Sequence, residues 1–318
     1  MLGRSTTILL TALILLPLDI RSAGVFEGYH EETAPTGKVY WRGWGAAERR
    51  IVLDLLPDAV ASAESRLKRS SAGPFTTVLV PDGYALRREA DRLLGVEGAL
   101  PRGWDVAGVA FPGPRVLMVR GDFLPGADSF SRTLEHEVAH LVIHGKPGAR
   151  IPLWFDEGVA TWIADPVLSS EAESSMSLLA RLDALFPLSS LDTRFPGAHD
   201  PASIAYRQSL LFITYLVEKH GEQVLPELLD LFEKGLGTGE ALEAVTSRPA
   251  SEVESEFAAW VVRRASLFQA LLSVISLWTI AALLAVAAVV RYRIRRRRRM
   301  DSLGDGPPPD DAPPEQSS

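Results

Sequence analysis

Hydrophobic positions along the chain form two uncharged blocks near the ends and a patterned region between them. Residues 8–18 are an apolar run behind the basic Arg4, and small residues follow at positions 22–24. This order is typical of a secretory signal peptide, because the run is too short to span a bilayer. We predict a signal peptide over residues 1–24, with an uncleaved N-terminal anchor as the alternative.

The second block, residues 267–290, contains no charged residue and is followed by arginines at positions 291, 293 and 295–299. Its length suits a tilted transmembrane helix better than a buried core helix. The arginines favour the cytoplasmic side of a membrane. We predict a single-pass protein of the cell membrane, with an extracytoplasmic domain at residues 25–265, a transmembrane helix at 266–290 and a cytoplasmic tail at 291–318.

The region between the blocks begins with short strand patterns. Residues 76–80 are rich in β-branched side chains and end at a Pro-Asp-Gly turn, while residues 108–111 and 115–119 flank a Pro-Gly-Pro turn. These patterns predict one strand and one hairpin. Two helical patterns lie on either side of the first strand: residues 46–69, with a kink or break at Pro57, and residues 84–94.

After residue 128 the apolar spacing becomes helical. Asp128 or Ser129 is the predicted cap of a helix that ends near Gly145. Further helices are predicted at residues 152–164, 171–185, 201–221 and 252–263. Strands followed by helices predict an α+β domain, with a small N-terminal sheet and then mainly helices.

Charge and cysteine content limit which ligands this domain can bind and which residues can hold a metal ion. The chain has a net charge of −7, and its basic residues are concentrated at the ends, so the middle is more acidic still. An acidic domain is a poor nucleic-acid binder, and the adjacent membrane span accounts for the arginine cluster. The chain has no cysteine, so histidines and carboxylates must hold any metal ion.

The most specific chemical signal is the pentapeptide HEVAH at residues 136–140. Histidines four positions apart lie on one helical face, so their imidazoles can converge on one metal ion. The intervening glutamate can accept a proton from a water molecule there. The spacing predicts zinc ligands at His136 and His140 and a general base at Glu137. The alternative is an ordinary helix with two exposed or capping histidines.

A third ligand is needed to complete a catalytic zinc site. Glu157 lies in the segment LWFDEGVATW, and the preceding link contains Pro147 and Gly148, which let the chain reverse. Two antiparallel helices would then place Glu157 opposite the histidines. We predict Glu157 as the third zinc ligand.

HExxH followed by a helix that carries Asp-Glu-Gly-x-Ala resembles the gluzincins, zinc peptidases whose third ligand is a glutamate. The chain is most similar to their compact bacterial peptidase-MA-like group. The resemblance implies a zincin-like catalytic domain. It also implies a Zn²⁺ cofactor and a peptide or protein substrate, with membrane-associated proteins among the candidates.

The resemblance also implies a role for Tyr206, which opens the segment AYRQSLLFITYLVEKHG. In related aminopeptidases a tyrosine at this place donates a proton to the oxyanion, although a core tyrosine is the alternative here. Arg207-Gln208-Ser209 departs from the aminopeptidase pattern, which weakens any prediction of that specificity. Residues 108–110 resemble a family strand that binds substrate, and an ordinary structural hairpin explains them equally well.

Three further polar residues lie close to the predicted ligands. His144 follows His140 by one turn, but a straight helix carries three ligands poorly, so we favour a surface or supporting role for it. Asp156 and Thr161 are candidates for orienting a ligand, or else they cap or pack.

These residues together predict a membrane-anchored metallopeptidase. Glu137 would take a proton from the attacking water, and Tyr206 would donate a hydrogen bond to the oxyanion. An intramembrane protease is disfavoured because the HEVAH segment is rich in charge. The alternative from another class is a catalytically silent zinc-binding or substrate-binding module tethered to the membrane.

Overall fold

The computed structural model describes residues 26–70, 73–100, 106–123, 127–197, 199–264, 285–286 and 291. The chain divides into two units, Met1–Arg263 and Arg264–Ser318, and the elements that follow lie almost entirely in the first. That unit has a five-stranded mixed sheet in the order β1-β2-β3-β5-β4. The strands are β1 (His30–Ala34), β2 (Gly37–Trp41), β3 (Thr76–Val80), β4 (Gly108–Phe111) and β5 (Val116–Arg120).

The predicted hairpin is confirmed at one edge of the sheet. Strands β4 and β5 pair antiparallel, with Val109 opposite Met118. Strand β5 pairs in parallel with β3, which in turn pairs in parallel with β2. Every residue of β4 is buried, although β4 is an edge strand of the described sheet, because the helix at Ala127–Ile143 packs beside it.

The hairpin of β1 and β2 at the other edge was not predicted. Strand β1 reads HEETA and is half exposed, so it lacks the apolar alternation that identifies a strand. Gly37 turns the chain with φ of +131°, a conformation that side chains disfavour. A Cβ there would lie 2.2 Å from the Phe75 carbonyl oxygen, so the turn also needs glycine for space.

Helices account for most of the remaining described residues. They are α1 (Ala46–Leu67), α2 (Gly83–Leu94), α3 (Ala127–Ile143), α4 (Leu153–Ala164), α5 (Ser170–Arg181), α6 (His199–His220), α7 (Val224–Glu233), α8 (Thr238–Thr246) and α9 (residues 250–264). The chain is already helical at Ala127, so Asp128 and Ser129 are not caps. Helix α5 ends at Arg181, before the predicted residue 185. Just beyond this end, Asp183 takes a left-handed φ of 53°.

The predicted break at Pro57 is wrong, because α1 continues through it. The ring of Pro57 faces solvent, whereas Val52, Leu56 and Ala59 on either side of it are buried. This apolar stripe packs against α3 and holds the helix together although the proline removes one hydrogen bond.

The main core lies where α4 packs between α3 and α6. Trp154 and Phe155 of α4 are fully buried, and the ring of Trp154 lies 5.3 Å from that of Phe212 on α6. Gly158 lets α4 and α6 approach closely, since a Cβ there would lie 2.8 Å from the Ser209 carbonyl oxygen. Helix α4 is therefore fixed from both sides.

The predicted α+β class is confirmed, with the strands preceding most of the helices. No helix within the described ranges is long and apolar enough to cross a membrane. The predicted signal peptide, residues 1–24, lies outside the described residues. So does the predicted span, residues 266–290, apart from positions 285 and 286.

Candidate metal centre

Helix α3 carries two of the predicted ligands into the core. Its apolar stripe of Leu134, Val138 and Leu141 is buried as expected, and this fixes the rotation of the helix. His136 and His140 are 1% and 0% exposed, and their Nε2 atoms lie 3.2 Å apart. The two imidazoles therefore converge as the i, i+4 spacing predicts.

Helix α4 brings the third predicted ligand to the same place. Glu157 Oε2 lies 3.5 Å from His136 Nε2 and 3.9 Å from His140 Nε2. The ligand atoms of these three residues lie within 4.8 Å of one another. Ligands about 2.0–2.2 Å from a tetrahedral zinc ion stand roughly 3.3 Å apart, so the spacing fits zinc closely.

Unpartnered oxygens at the cluster show that the donor set fits a cation. Both carboxylate oxygens of Glu157 and Oε1 of Glu137 are buried without a hydrogen bond of normal geometry. Burying such oxygens is costly unless a donor or a cation satisfies them. Two imidazoles and a carboxylate are a donor set that zinc prefers.

Glu137 lies on α3 between the two histidines and is hydrogen-bonded to the sheet. Its Oε2 accepts a hydrogen bond of 2.7 Å from the backbone N–H of Ala110 on β4. Gly108 permits this approach, since a Cβ there would lie 3.3 Å from the Cγ of Glu137. The sequence held no signal for this contact, because backbone donors are not encoded by residue type.

Asp156, next to Glu157 on α4, orients one imidazole. Asp156 Oδ1 lies 2.8 Å from His140 Nδ1, at hydrogen-bonding distance. This contact directs Nδ1 of His140 to Asp156, so Nε2 is the nitrogen that faces the predicted metal position. Of the supporting candidates, Thr161 instead donates to the backbone carbonyl of Glu157, at 2.7 Å.

Tyr206 reaches the cluster from α6. Its hydroxyl interacts with Glu157, and its ring lies edge-to-face against Phe195 at 4.7 Å between centroids. The structure thus brings all five predicted site residues together. Phe195 was missed, and nothing in the local sequence distinguishes it from other loop aromatics.

The Peptidase MA superfamily model matches residues 97–263, which include β4, α3, α4, α6 and every site residue named above. The chain belongs to the Peptidase MA superfamily. No curated protein matches the chain.

Two of the solved structures that resemble this Peptidase MA chain are larger proteins. A mutant of the M1 zinc metallopeptidase from Deinococcus radiodurans is 15% identical, with a TM-score of 0.42, over 73% of this chain and 52% of its own. An aminopeptidase N family protein from Idiomarina loihiensis is also 15% identical, with a TM-score of 0.39, over 70% and 44%. The chain spans about half the length of these proteins.

Burial and neighbouring charges shift the pKa values of the two histidines in opposite directions. Burial, together with neighbouring His140, lowers the pKa of His136 to about 4. Burial would also lower the pKa of His140, but Asp156 and Glu157 outweigh it and raise that pKa to about 10. The buried carboxylates thus favour positive charge at the position of the metal ligands.

The carboxylates of the Peptidase MA site are shifted in different directions. Burial raises the pKa of Glu157 to about 8 and also raises that of Glu137. Burial opposes ionisation of Asp156 too, yet His140 and His144 hold its pKa well below the usual range. Burial and then Glu157 raise the pKa of Tyr206 well above its usual value, so its hydroxyl keeps its proton.

Proposed function

We propose that this chain is a membrane-anchored, zinc-dependent peptidase that hydrolyses peptide bonds. The observation that carries the proposal is the buried cluster of His136, His140 and Glu157, with Glu137 beside it and oxygens left without partners. Membership of the Peptidase MA superfamily supports it.

The roles of the residues follow from their contacts. When bound, zinc supplies Lewis-acid chemistry that acidifies a water molecule and polarises a carbonyl group. Glu137 accepts the proton of the attacking water on Oε1, because Oε2 is held by Ala110, and later passes that proton to the leaving amine. Burial raises the pKa of Glu137 above the ordinary value for a glutamate.

Tyr206 stabilises the negative charge that develops on the carbonyl oxygen. Its hydroxyl remains protonated and lies beside Glu157, so it can donate a hydrogen bond next to the ligand cluster. Preorganised donors of this kind contribute strongly to acyl-transfer catalysis. Replacing Tyr206 with Phe should lower kcat by about 10²–10³-fold.

Digestion of a broad peptide library by the full-length, zinc-loaded chain tests the activity. Glu137→Gln should retain zinc and lose about 10²–10⁴-fold in hydrolysis, because the amide cannot accept a proton. If the parent chain binds zinc but cleaves no peptide at more than the Glu137→Gln rate, a catalytically silent module is the better account.

The membrane anchor and the extracytoplasmic site are supported by the uncharged block 267–290, its arginine flank and the signal-like start. A reporter active only in the cytoplasm should work when fused after Ser318 and fail when fused after Arg264. The reverse result would invert the proposed orientation.

A further inference from the structure

His144 is a buried histidine that the proposed mechanism does not use. It lies directly after α3, one turn beyond His140, and its side chain is only 3% exposed. An imidazole buried this deeply needs a polar partner. The nearest acidic partner is not a metal ligand but Asp156.

Asp156 is shared between two imidazoles of the same helical face. Its Oδ1 lies 2.8 Å from His140 Nδ1, at hydrogen-bonding distance. Its Oδ2 lies 3.1 Å from His144 Nε2, an ion-pair contact without the angles of a normal hydrogen bond. The carboxylate itself is fully buried. Each oxygen therefore faces a different histidine, and each contact restricts how far the carboxyl group can rotate.

We propose that His144 is a positioning residue for the metal centre. By engaging Oδ2 of Asp156, it keeps Oδ1 on His140 Nδ1, and His140 Nε2 then points at the zinc position. The inference rests on the proposed zinc site and deepens it. A carboxylate with one partner can rotate about its Cβ–Cγ bond, whereas two partners on opposite oxygens hold it.

The geometry argues against His144 as a ligand. Its Nε2 faces Asp156, and among the described residues the ligand group that fits one ion consists of His136, His140 and Glu157. A separate metal site at His144 would need a third donor beyond Asp156, and no such group is formed within the described part of the chain.

Three substitutions of His144 in the full-length chain test the inference. Gln carries an amide nitrogen at about the reach of Nε2, Asn is one carbon too short, and Leu has no donor. Zinc affinity, measured by competition with a chelator, should fall about 10–100-fold in His144→Leu and His144→Asn. His144→Gln should recover most of it.

The visible absorption spectrum of the cobalt-substituted protein supplies a second reading, because it reports ligand geometry. It should change in the Leu and Asn variants and resemble the parent in the Gln variant. His220→Leu is the matched control: His220 is a half-buried histidine about 21 Å along α6 from Tyr206. It should leave both readings unchanged.

Parent-like zinc affinity and cobalt spectra in both His144→Asn and His144→Leu would overturn the inference and leave the proposed function intact. Equal losses in Gln and Asn would also overturn it, since the reach of the donor would then not matter. A parent chain that binds no zinc would instead overturn the proposed function, and this inference with it.

Discussion

Glu89 on α2 and Glu157 on α4 are both fully buried, but their surroundings differ. Glu89 Oε1 lies 2.7 Å from the guanidinium of Arg88, and Oε2 lies 3.3 Å from that of Arg92. Each oxygen thus has a cationic partner on its own helix. Neither oxygen of Glu157 has a partner of normal geometry.

The difference separates a carboxylate with a structural role from one that is a candidate metal ligand. Burying a charge costs free energy unless a partner offsets it, and Glu89 is offset within one turn of helix. The charge of Glu157 is opposed by burial, which raises its pKa to about 8. Burial alone therefore does not indicate a candidate site, whereas burial without a cationic partner at hydrogen-bonding distance, beside two imidazoles, does.

The largest effect should appear when each glutamate is replaced by its isosteric amide. Glu157→Gln should weaken zinc binding by more than about 100-fold, because losing a ligand should reduce the affinity at least as much as losing a supporting residue. Glu89→Gln should leave zinc affinity unchanged. Chelator competition measures both, and equal affinities in the two variants would remove the distinction.

The second expected effect concerns protons that compete with zinc. The pKa values of about 8 for Glu157 and about 10 for His140 mean that both groups hold protons at neutral pH without the metal. Zinc binding must displace those protons, so affinity should rise by about tenfold per pH unit for each proton from pH 6 to 8. A flat titration would contradict the proposed ligands.

The smallest effect is on the free energy of unfolding, and its sign should differ between Glu89→Gln and Glu157→Gln. With zinc chelated, Glu89→Gln should lower the free energy of unfolding by about 1–2 kcal/mol, because it removes the ion pairs of Glu89. The loss stays small because Arg88 and Arg92 are half exposed and solvent screens the pairs. Glu157→Gln should match or exceed the parent in stability. Its advantage should grow from pH 6 to 9, because an ionised Glu157 is disfavoured in the folded state.

Urea unfolding at the two pH values measures these differences. If Glu157→Gln were the less stable variant at pH 9, the contacts of the carboxylate with Tyr206 and the imidazoles would outweigh the cost of burying its charge.

The clustering of the proposed ligands could be predicted because their geometry is local. His136, Glu137 and His140 follow from helical spacing, and Glu157 follows from a reversal of the chain at Pro147. The sharing of Asp156 by two histidines could not be predicted, because it depends on how α3 and α4 cross.

The fold, too, could be predicted where it depends on local sequence patterns. The hairpin of β4 and β5 and most helices follow from apolar periodicity. The polar strand β1 and the continuity of α1 through Pro57 depend on partners distant in sequence, which no local pattern reveals. The predicted membrane span, residues 266–290, remains a prediction.

The most direct test is a crystal structure of the zinc-loaded chain with data collected at the zinc absorption edge. We predict one anomalous peak, about 2.0–2.2 Å from His136 Nε2, His140 Nε2 and a carboxylate oxygen of Glu157, with Asp156 still between His140 and His144. A peak bound by His144 in place of Glu157 would contradict the central claim.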